Sequence, residues 1–144
     1  MVFVMVLGEK LFEEEGNITG VKVTKVNPVE GVTTEISFTS EIRGEGRFPN
    51  SNNLASGILT KYPHGIIDAT WQGLMTMSED GDQYLWWGHE KSKLIEGGKI
   101  KGLIIVTGFT KSHKLSWMNN IIMALESHGS VSSQKFQAIG YEWK

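Results

Sequence analysis

The chain has 144 residues, the size of one domain that buries roughly two thirds of its unfolded surface and needs no disulfide or structural metal. It has no cysteine, which excludes disulfides and thiolate zinc sites, and its net charge of −2 gives no electrostatic reason to expect nucleic acid or a membrane as a partner. The N-terminal stretch MVFVMVLGEKLF is apolar, but it lacks the features of a secretion signal and is too short to span a bilayer. We therefore interpret it as a first strand and expect a cytoplasmic protein.

Alternation of apolar and polar residues with a period of two dominates the chain, most clearly over residues 32–48, where Ile36, Phe38 and Ile42 share one face. Further strands are predicted near 3–13, 18–26, 66–77, 83–90, 100–110, 120–127 and 134–142, with 54–62 as another candidate. Apolar residues around 115–125 also allow one short helix at 114–119 that runs into a strand. Many short strands joined by tight turns predict an all-β fold. The expected domain is a single antiparallel β-barrel of about eight or nine strands over residues 1–144, with at most one short helix near 114–119.

The Asp80-Gly81 pair predicts a β-hairpin with a two-residue type I′ loop. Counting outward from this loop predicts the cross-strand pairs Met77–Tyr84, Met75–Trp86 and Trp71–Glu90. All six of these residues fall on the more apolar face, which should point inward. His89 then points outward, because neighbouring residues on a strand face opposite sides. A three-residue loop would place His89 inside and Glu90 outside, and the sequence leaves both registers open.

An interior cluster of large side chains is the main functional signal, and it comprises Trp71, Met75, Met77, Tyr84 and Trp86. We predict from it a β-barrel that binds a small, largely apolar ligand in its interior, since barrels of this size are just wide enough to hold one. The alternative interpretation is that these residues only fill a core. No cofactor and no metal site are predicted, because the four histidines lack the spacing of metal ligands.

Two other functions remain open at this point. The first is a cyclase or isomerase that uses a lone interior carboxylate as its base, with Glu90 or His89 as the candidate catalytic residue. The second is a solid barrel that acts as a structural homo-oligomer. For the second, Leu74, Leu85 and Trp87 form an apolar stripe on the outer face of the predicted hairpin, which is suited to contact with another subunit.

Three stretches of the C-terminal half, GLMTMSEDGDQYLWWG, GLIIVTGFTKSHKLSWMNNIIMALESHG and YEWK, resemble a family of small archaeal and bacterial proteins. GVKVTKVNPVEGVTTEISF extends the resemblance into the N-terminal half. The residues that fall on the family pattern are Leu115, Asn119, Glu126, Glu142 and Trp143. The resemblance implies a lipocalin-like or allene-oxide-cyclase-like barrel, with no established activity or cofactor. The chain departs from the pattern at GHEKSK, where the family has more glycine, so the resemblance assigns no catalytic role to His89 or Glu90.

Overall fold

Eight antiparallel strands form a closed barrel in the computed structural model, which describes residues 7–130 and 132–144. The strands are β1 Leu7–Asn27, β2 Gly31–Gly44, β3 Ser51–Lys61, β4 Ile66–Met77, β5 Gln83–Ile95, β6 Lys99–Phe109, β7 Ile122–Ser130 and β8 Lys135–Trp143. They follow one another around the barrel in chain order, and β8 pairs with β1 to close it. The predicted all-β barrel is confirmed. The short helix expected near 114–119 is a 3-10 turn, Ser116–Asn120, and a second 3-10 turn, Glu96–Gly98, joins β5 to β6.

β1 is one strand of 21 residues, whereas the sequence predicts two strands at 3–13 and 18–26. Residues 3–6 of the first predicted strand lie outside the described residues. The strand is continuous because β2 pairs with it from Phe12 to Asn27, and β8 pairs with it as far as Asn17. Register shifts after Ile18 and Val23 mark bulges, which let a long strand bend with the barrel wall.

The hairpin between β4 and β5 has a longer loop than the sequence predicts. Residues 78–81 separate Met77 from Asp82, and the amide of Met77 donates a hydrogen bond of 2.8 Å to the carbonyl oxygen of Asp82. Gly81 adopts a positive φ of 77°, and Asp80 Oδ1 accepts a hydrogen bond of 3.0 Å from the Asp82 amide. The predicted two-residue loop is therefore wrong, since four residues lie between the last paired positions.

This loop shifts the register of β4 and β5 by two positions. Three predicted pairs are consequently wrong, namely Met77–Tyr84, Met75–Trp86 and Trp71–Glu90. Tyr84 pairs instead with Met75, and Trp86 pairs with Gly73. Because the shift is an even number of residues, each side chain keeps its predicted face, and Glu90 points into the barrel.

One end of the barrel is closed by packed side chains from the hairpin turns and from the loop between β6 and β7. The chain turns back after β2, earlier than the predicted strand end at residue 48, and Phe48 folds inward to only 3% exposure. Leu115 and Met118 are buried in the same core cluster as Phe48. Asn119 holds their loop by exchanging hydrogen bonds of 2.7 and 3.0 Å with the backbone of Thr110.

Among the described residues, no helix is long and apolar enough to cross a membrane.

Four glycines on the inner wall pair directly with aromatic residues of a neighbouring strand: Gly16 with Phe136, Gly57 with Trp71, Gly73 with Trp86, and Gly140 with Phe12. A Cβ atom at any of these glycines would come within 2.2 to 2.4 Å of the partner's ring. Each ring therefore lies over a glycine and against the wall, an arrangement known from other β-sheets. This packing leaves the middle of the barrel open.

Candidate functional site

The barrel interior contains a cavity of about 440 Å³ beside the closed end. Its wall is mostly apolar and includes Ile36, Phe38, Ile67, Ile104 and Phe136. Near the end of β7 and the start of β8, polar residues of 127–130 and 133–135 line the cavity as well. A volume of this size lies within the roughly 300–1,000 Å³ that is usual for small-molecule sites. The interior therefore has room for a small organic molecule, and the barrel is not the solid one that the structural homo-oligomer hypothesis assumed.

Glu90 lies on the cavity wall and is 8% exposed. Its Oε1 accepts a hydrogen bond of 2.9 Å from the indole N–H of Trp71, and its Oε2 accepts one from the Ser92 hydroxyl. The three side chains belong to β4 and β5, and alternation brings Glu90 and Ser92 to the same face. Both oxygens of the carboxyl group are thus held by the protein, which fixes its orientation in the wall.

A second carboxyl group, that of Glu14, also lines the cavity and is 6% exposed. Its Oε2 accepts hydrogen bonds from the Ser40 hydroxyl and, at 3.4 Å, from Asn53 Nδ2. Asn53 Oδ1 accepts a hydrogen bond of 2.8 Å from the indole of Trp86. Burial raises the pKa of Glu14 above its ordinary value, and the hydrogen bonds from Ser40 and Asn53 oppose that rise. The expectation of a lone interior carboxylate is wrong.

The five predicted ligand contacts fall into two groups. Trp71, Met75 and Trp86 line the cavity, whereas Met77 and Tyr84 belong to the packed closed end. Tyr84 is fully buried, and its hydroxyl donates a hydrogen bond of 3.4 Å to the Met118 carbonyl oxygen. Burial raises the pKa of Tyr84 to about 12.

His89, the other candidate catalytic residue, lies on the outer face of β5. Its Nε2 is 2.7 Å from Oδ1 of Asp68, and Lys91 Nζ is 2.7 Å from Oδ2 of the same carboxylate. The hydrogen bonds from Lys91 and His89 lower the pKa of Asp68. His89 is thus part of an exposed charge cluster and does not line the cavity. No group of three potential metal ligands occurs within residues 7–130 and 132–144.

Sequence reasoning missed the Glu14 network because Glu13-Glu14-Glu15 resembles a solvated charged run. The available signal was the alternation through Phe12, Glu14 and Gly16, which places Glu14 on the apolar face. Glu13 points outward and forms ion pairs with Lys10 and Arg43. Ser40 and Asn53 carry no comparable signal, since hydroxyl and amide residues are common on either face of a strand.

The outer surface of β3 to β6 carries two adjacent cross-strand rows without a charged residue. The first row is Leu54–Leu74–Leu85–Phe109, and the second is Ser56–Gln72–Trp87–Thr107. We call these eight residues the uncharged outer face. Leu54 is 60% exposed and Trp87 is 54% exposed. The predicted stripe of Leu74, Leu85 and Trp87 lies within this face.

The chain matches no protein-family model and no curated protein in sequence. It does match solved structures over nearly its whole length. A protein of unknown function from Clostridium acetobutylicum aligns with a TM-score of 0.80 at 16% identity, covering 94% of this chain and 98% of that one. A β-barrel-like protein from Acinetobacter baumannii aligns with a TM-score of 0.77 at 14% identity, covering 94% of each chain.

A third similar structure is described as an enzyme from Penicillium herquei. It aligns with a TM-score of 0.62 at 15% identity, covering 99% of this chain and 100% of that one. The structural alignments show that these proteins share the barrel fold of this chain. At sequence identities this low, they assign no residue roles to it.

Proposed function

We propose that this protein binds a small, largely apolar molecule in the interior of its barrel. The observation that carries the proposal is the cavity of about 440 Å³, whose wall is mostly apolar and holds the hydrogen-bonded carboxyl groups of Glu14 and Glu90, with a polar margin at residues 127–130 and 133–135. That combination of an apolar wall with few placed polar groups is typical of ligand sites. Trp71 and Trp86 line the cavity, so their emission should report a molecule that enters it.

Titration with N-phenyl-1-naphthylamine, an uncharged apolar dye that fluoresces in dry surroundings, tests the proposal. We expect one saturable site per chain and energy transfer from tryptophan to the bound dye. Dye emission that rises without saturation would mean that the dye adheres to the surface and that the interior binds nothing.

Acid–base catalysis on an apolar carbonyl compound is the second candidate function. The observation in its favour is the pair of cavity carboxyl groups on β1 and β5, which are four strands apart in a closed ring of eight. Glu90 would take a proton from the carbon next to a carbonyl group, and Glu14 would give a proton to the carbonyl oxygen. Glu90 then returns its proton at another carbon of the ligand, and the enol oxygen gives its proton back to Glu14, which completes an isomerisation that needs no co-reactant.

Replacing Glu90 with glutamine should abolish this isomerisation without preventing binding. The variant keeps an acceptor for the Trp71 indole but has no base, so we expect the conversion of cyclohex-3-enone to its conjugated isomer to slow by about 10²–10⁴-fold. Ultraviolet absorbance follows the reaction, and dye titration checks the cavity. His89→Gln, on the outer face, is the matched control. An equal rate in Glu90→Gln and wild type would exclude Glu90 as the base, and a wild type that is inactive on a bound ketone would exclude this candidate.

We also propose that two copies of the chain associate through the uncharged outer face. Contact regions between subunits are poor in charged residues and rich in aromatic ones, and this face has that composition. A second copy of the same face is the partner that fits, because it needs no complementary charge. Large exposed apolar residues at its centre, such as Leu85 at 46% exposure, would be covered in such a dimer.

Trp87→Glu should convert the dimer to a monomer, because association would bury two unpaired carboxylates against apolar surface. Light scattering with size-exclusion chromatography measures the mass. Gln137→Glu, on the exposed outer surface of β8, is the control and should leave the mass unchanged. A monomeric wild type would exclude the dimer, and a dimeric Trp87→Glu variant would exclude this face as the contact.

A further inference from the structure

One oxygen of the buried Glu14 carboxyl group is held by the protein, and the other is not. Oε2 accepts the hydrogen bonds from Ser40 and Asn53. No hydrogen bond from the described residues reaches Oε1. Among those residues, the side-chain oxygen that is fully enclosed and has no hydrogen-bond partner is Ser51 Oγ. Unlike Ser51 Oγ, Oε1 of Glu14 is not fully enclosed by the residues that the structure describes, and since Glu14 lines the cavity, this oxygen borders the cavity space.

The orientation of Asn53 determines which Glu14 oxygen can carry a proton. An indole N–H can only donate, so the contact with Trp86 makes Asn53 Oδ1 the acceptor and directs Nδ2 towards Glu14. The Ser40 hydroxyl donates to the same Oε2. As long as the Ser40 hydroxyl donates to Oε2, as it does to the carboxylate, a protonated Glu14 carries its proton on Oε1 and presents it to the cavity.

Burial removes water from the Glu14 carboxyl group and raises its pKa, which favours the neutral form. The hydrogen bonds from Ser40 and Asn53 oppose this rise but are smaller effects. No positive charge among the described residues is part of this network. Four other titratable groups line the cavity, namely Lys61, Glu90, His128 and Lys135. Glu90 lies on another strand and has its own partners, and the other three are near the ends of their strands.

We infer that the interior ligand is a largely apolar molecule with a carbonyl oxygen, and that Oε1 of Glu14 donates a hydrogen bond to this oxygen. The inference rests on the proposed interior binding. The indole N–H groups of Trp71 and Trp86 already donate to Glu90 and Asn53, and apart from Asn53 the other side-chain donors of the wall lie near the ends of β3 and β7 and the start of β8. A carbonyl oxygen accepts and never donates, so it fits a carboxylic acid that presents its proton.

Two matched dyes test the inference. One is 6-propionyl-2-dimethylaminonaphthalene, an apolar aromatic ketone, and the other is the same naphthalene with a propyl chain in place of the propionyl group. We expect wild type to bind the ketone about tenfold more tightly than the propyl dye at a pH below the folded-state pKa of Glu14, as one added hydrogen bond allows. The advantage should disappear in Glu14→Leu and persist in Glu14→Gln, whose amide still donates.

The pH dependence of the ratio of the two affinities provides a test on the wild type alone. The neutral acid exists below the folded-state pKa of Glu14, so the advantage of the ketone should be lost as the pH rises through that value. Neither dye carries a charge. Any change in charge at Lys61, His128 or Lys135 should therefore affect the binding of both dyes alike.

Each outcome distinguishes the inference from the proposed function. If neither dye binds, the proposed interior binding fails. If both bind with equal affinity, or if the ketone keeps its advantage in Glu14→Leu or at every pH, Glu14 is not the donor although interior binding stands. Should Glu14→Leu fail to fold, the wild-type pH profile and Glu14→Gln still decide the question.

Discussion

Replacing Gly73 with valine should lower the free energy of unfolding by about 1–3 kcal/mol, the usual cost of overpacking. A Cβ atom at this position would lie 2.3 to 2.4 Å from three atoms of the Trp86 indole. The indole cannot move without losing its hydrogen bond to Asn53. We also expect weaker binding of an apolar dye, because the displaced ring would enter the cavity. Urea unfolding followed by circular dichroism measures the change in stability.

Gly129→Val is the matched control for this prediction. Gly129 lines the same cavity, but the nearest atoms to its added Cβ are 3.8 Å away, an ordinary contact distance. Its stability should change by less than that of Gly73→Val. Equal effects at both positions would show that the close pairing of Gly73 with Trp86 does not shape the interior.

Replacing Ala138 with phenylalanine should reduce the affinity for N-phenyl-1-naphthylamine at least tenfold, or about 1.4 kcal/mol. Ala138 is 3% exposed and lines the cavity, so the added ring would occupy the space that the dye needs. The fold should be retained, since the ring enters open volume. The same titration, with circular dichroism as a check on folding, measures the effect.

Gln137→Phe provides the control, because it adds the same ring one residue away on the exposed outer side of β8. Its dye affinity should equal that of wild type. If Ala138→Phe folds and still binds the dye with unchanged affinity, the dye binds elsewhere and the cavity is not the site.

The faces of the strands could be predicted from the sequence, because side chains alternate with a strict period of two. That periodicity placed Trp71, Trp86 and Glu90 inside and Trp87 outside, and the structure has them there. The error in the β4–β5 loop left these faces unchanged, because it was an even number of residues. How far each side chain lies from the closed end of the barrel was not predictable in the same way. That distance depends on loop lengths and on how the ends of the barrel close.

The hollow interior could not be predicted, because it depends on which residues are opposite one another on neighbouring strands. Gly57 and Trp71, for example, are 14 positions apart in sequence and meet only in the register of β3 with β4. The Glu14 site has the same origin, since its partners Ser40 and Asn53 come from two further strands. Composition alone would allow these aromatic residues to fill the barrel completely.

Diffraction from crystals soaked with 6-propionyl-2-dimethylaminonaphthalene tests most directly whether the barrel is a hollow binding protein. We expect density for the dye inside the barrel, in contact with Trp71 and Phe136, with its carbonyl oxygen within hydrogen-bond distance of Glu14. An interior filled by side chains, or dye bound only on the outer surface, would contradict the account.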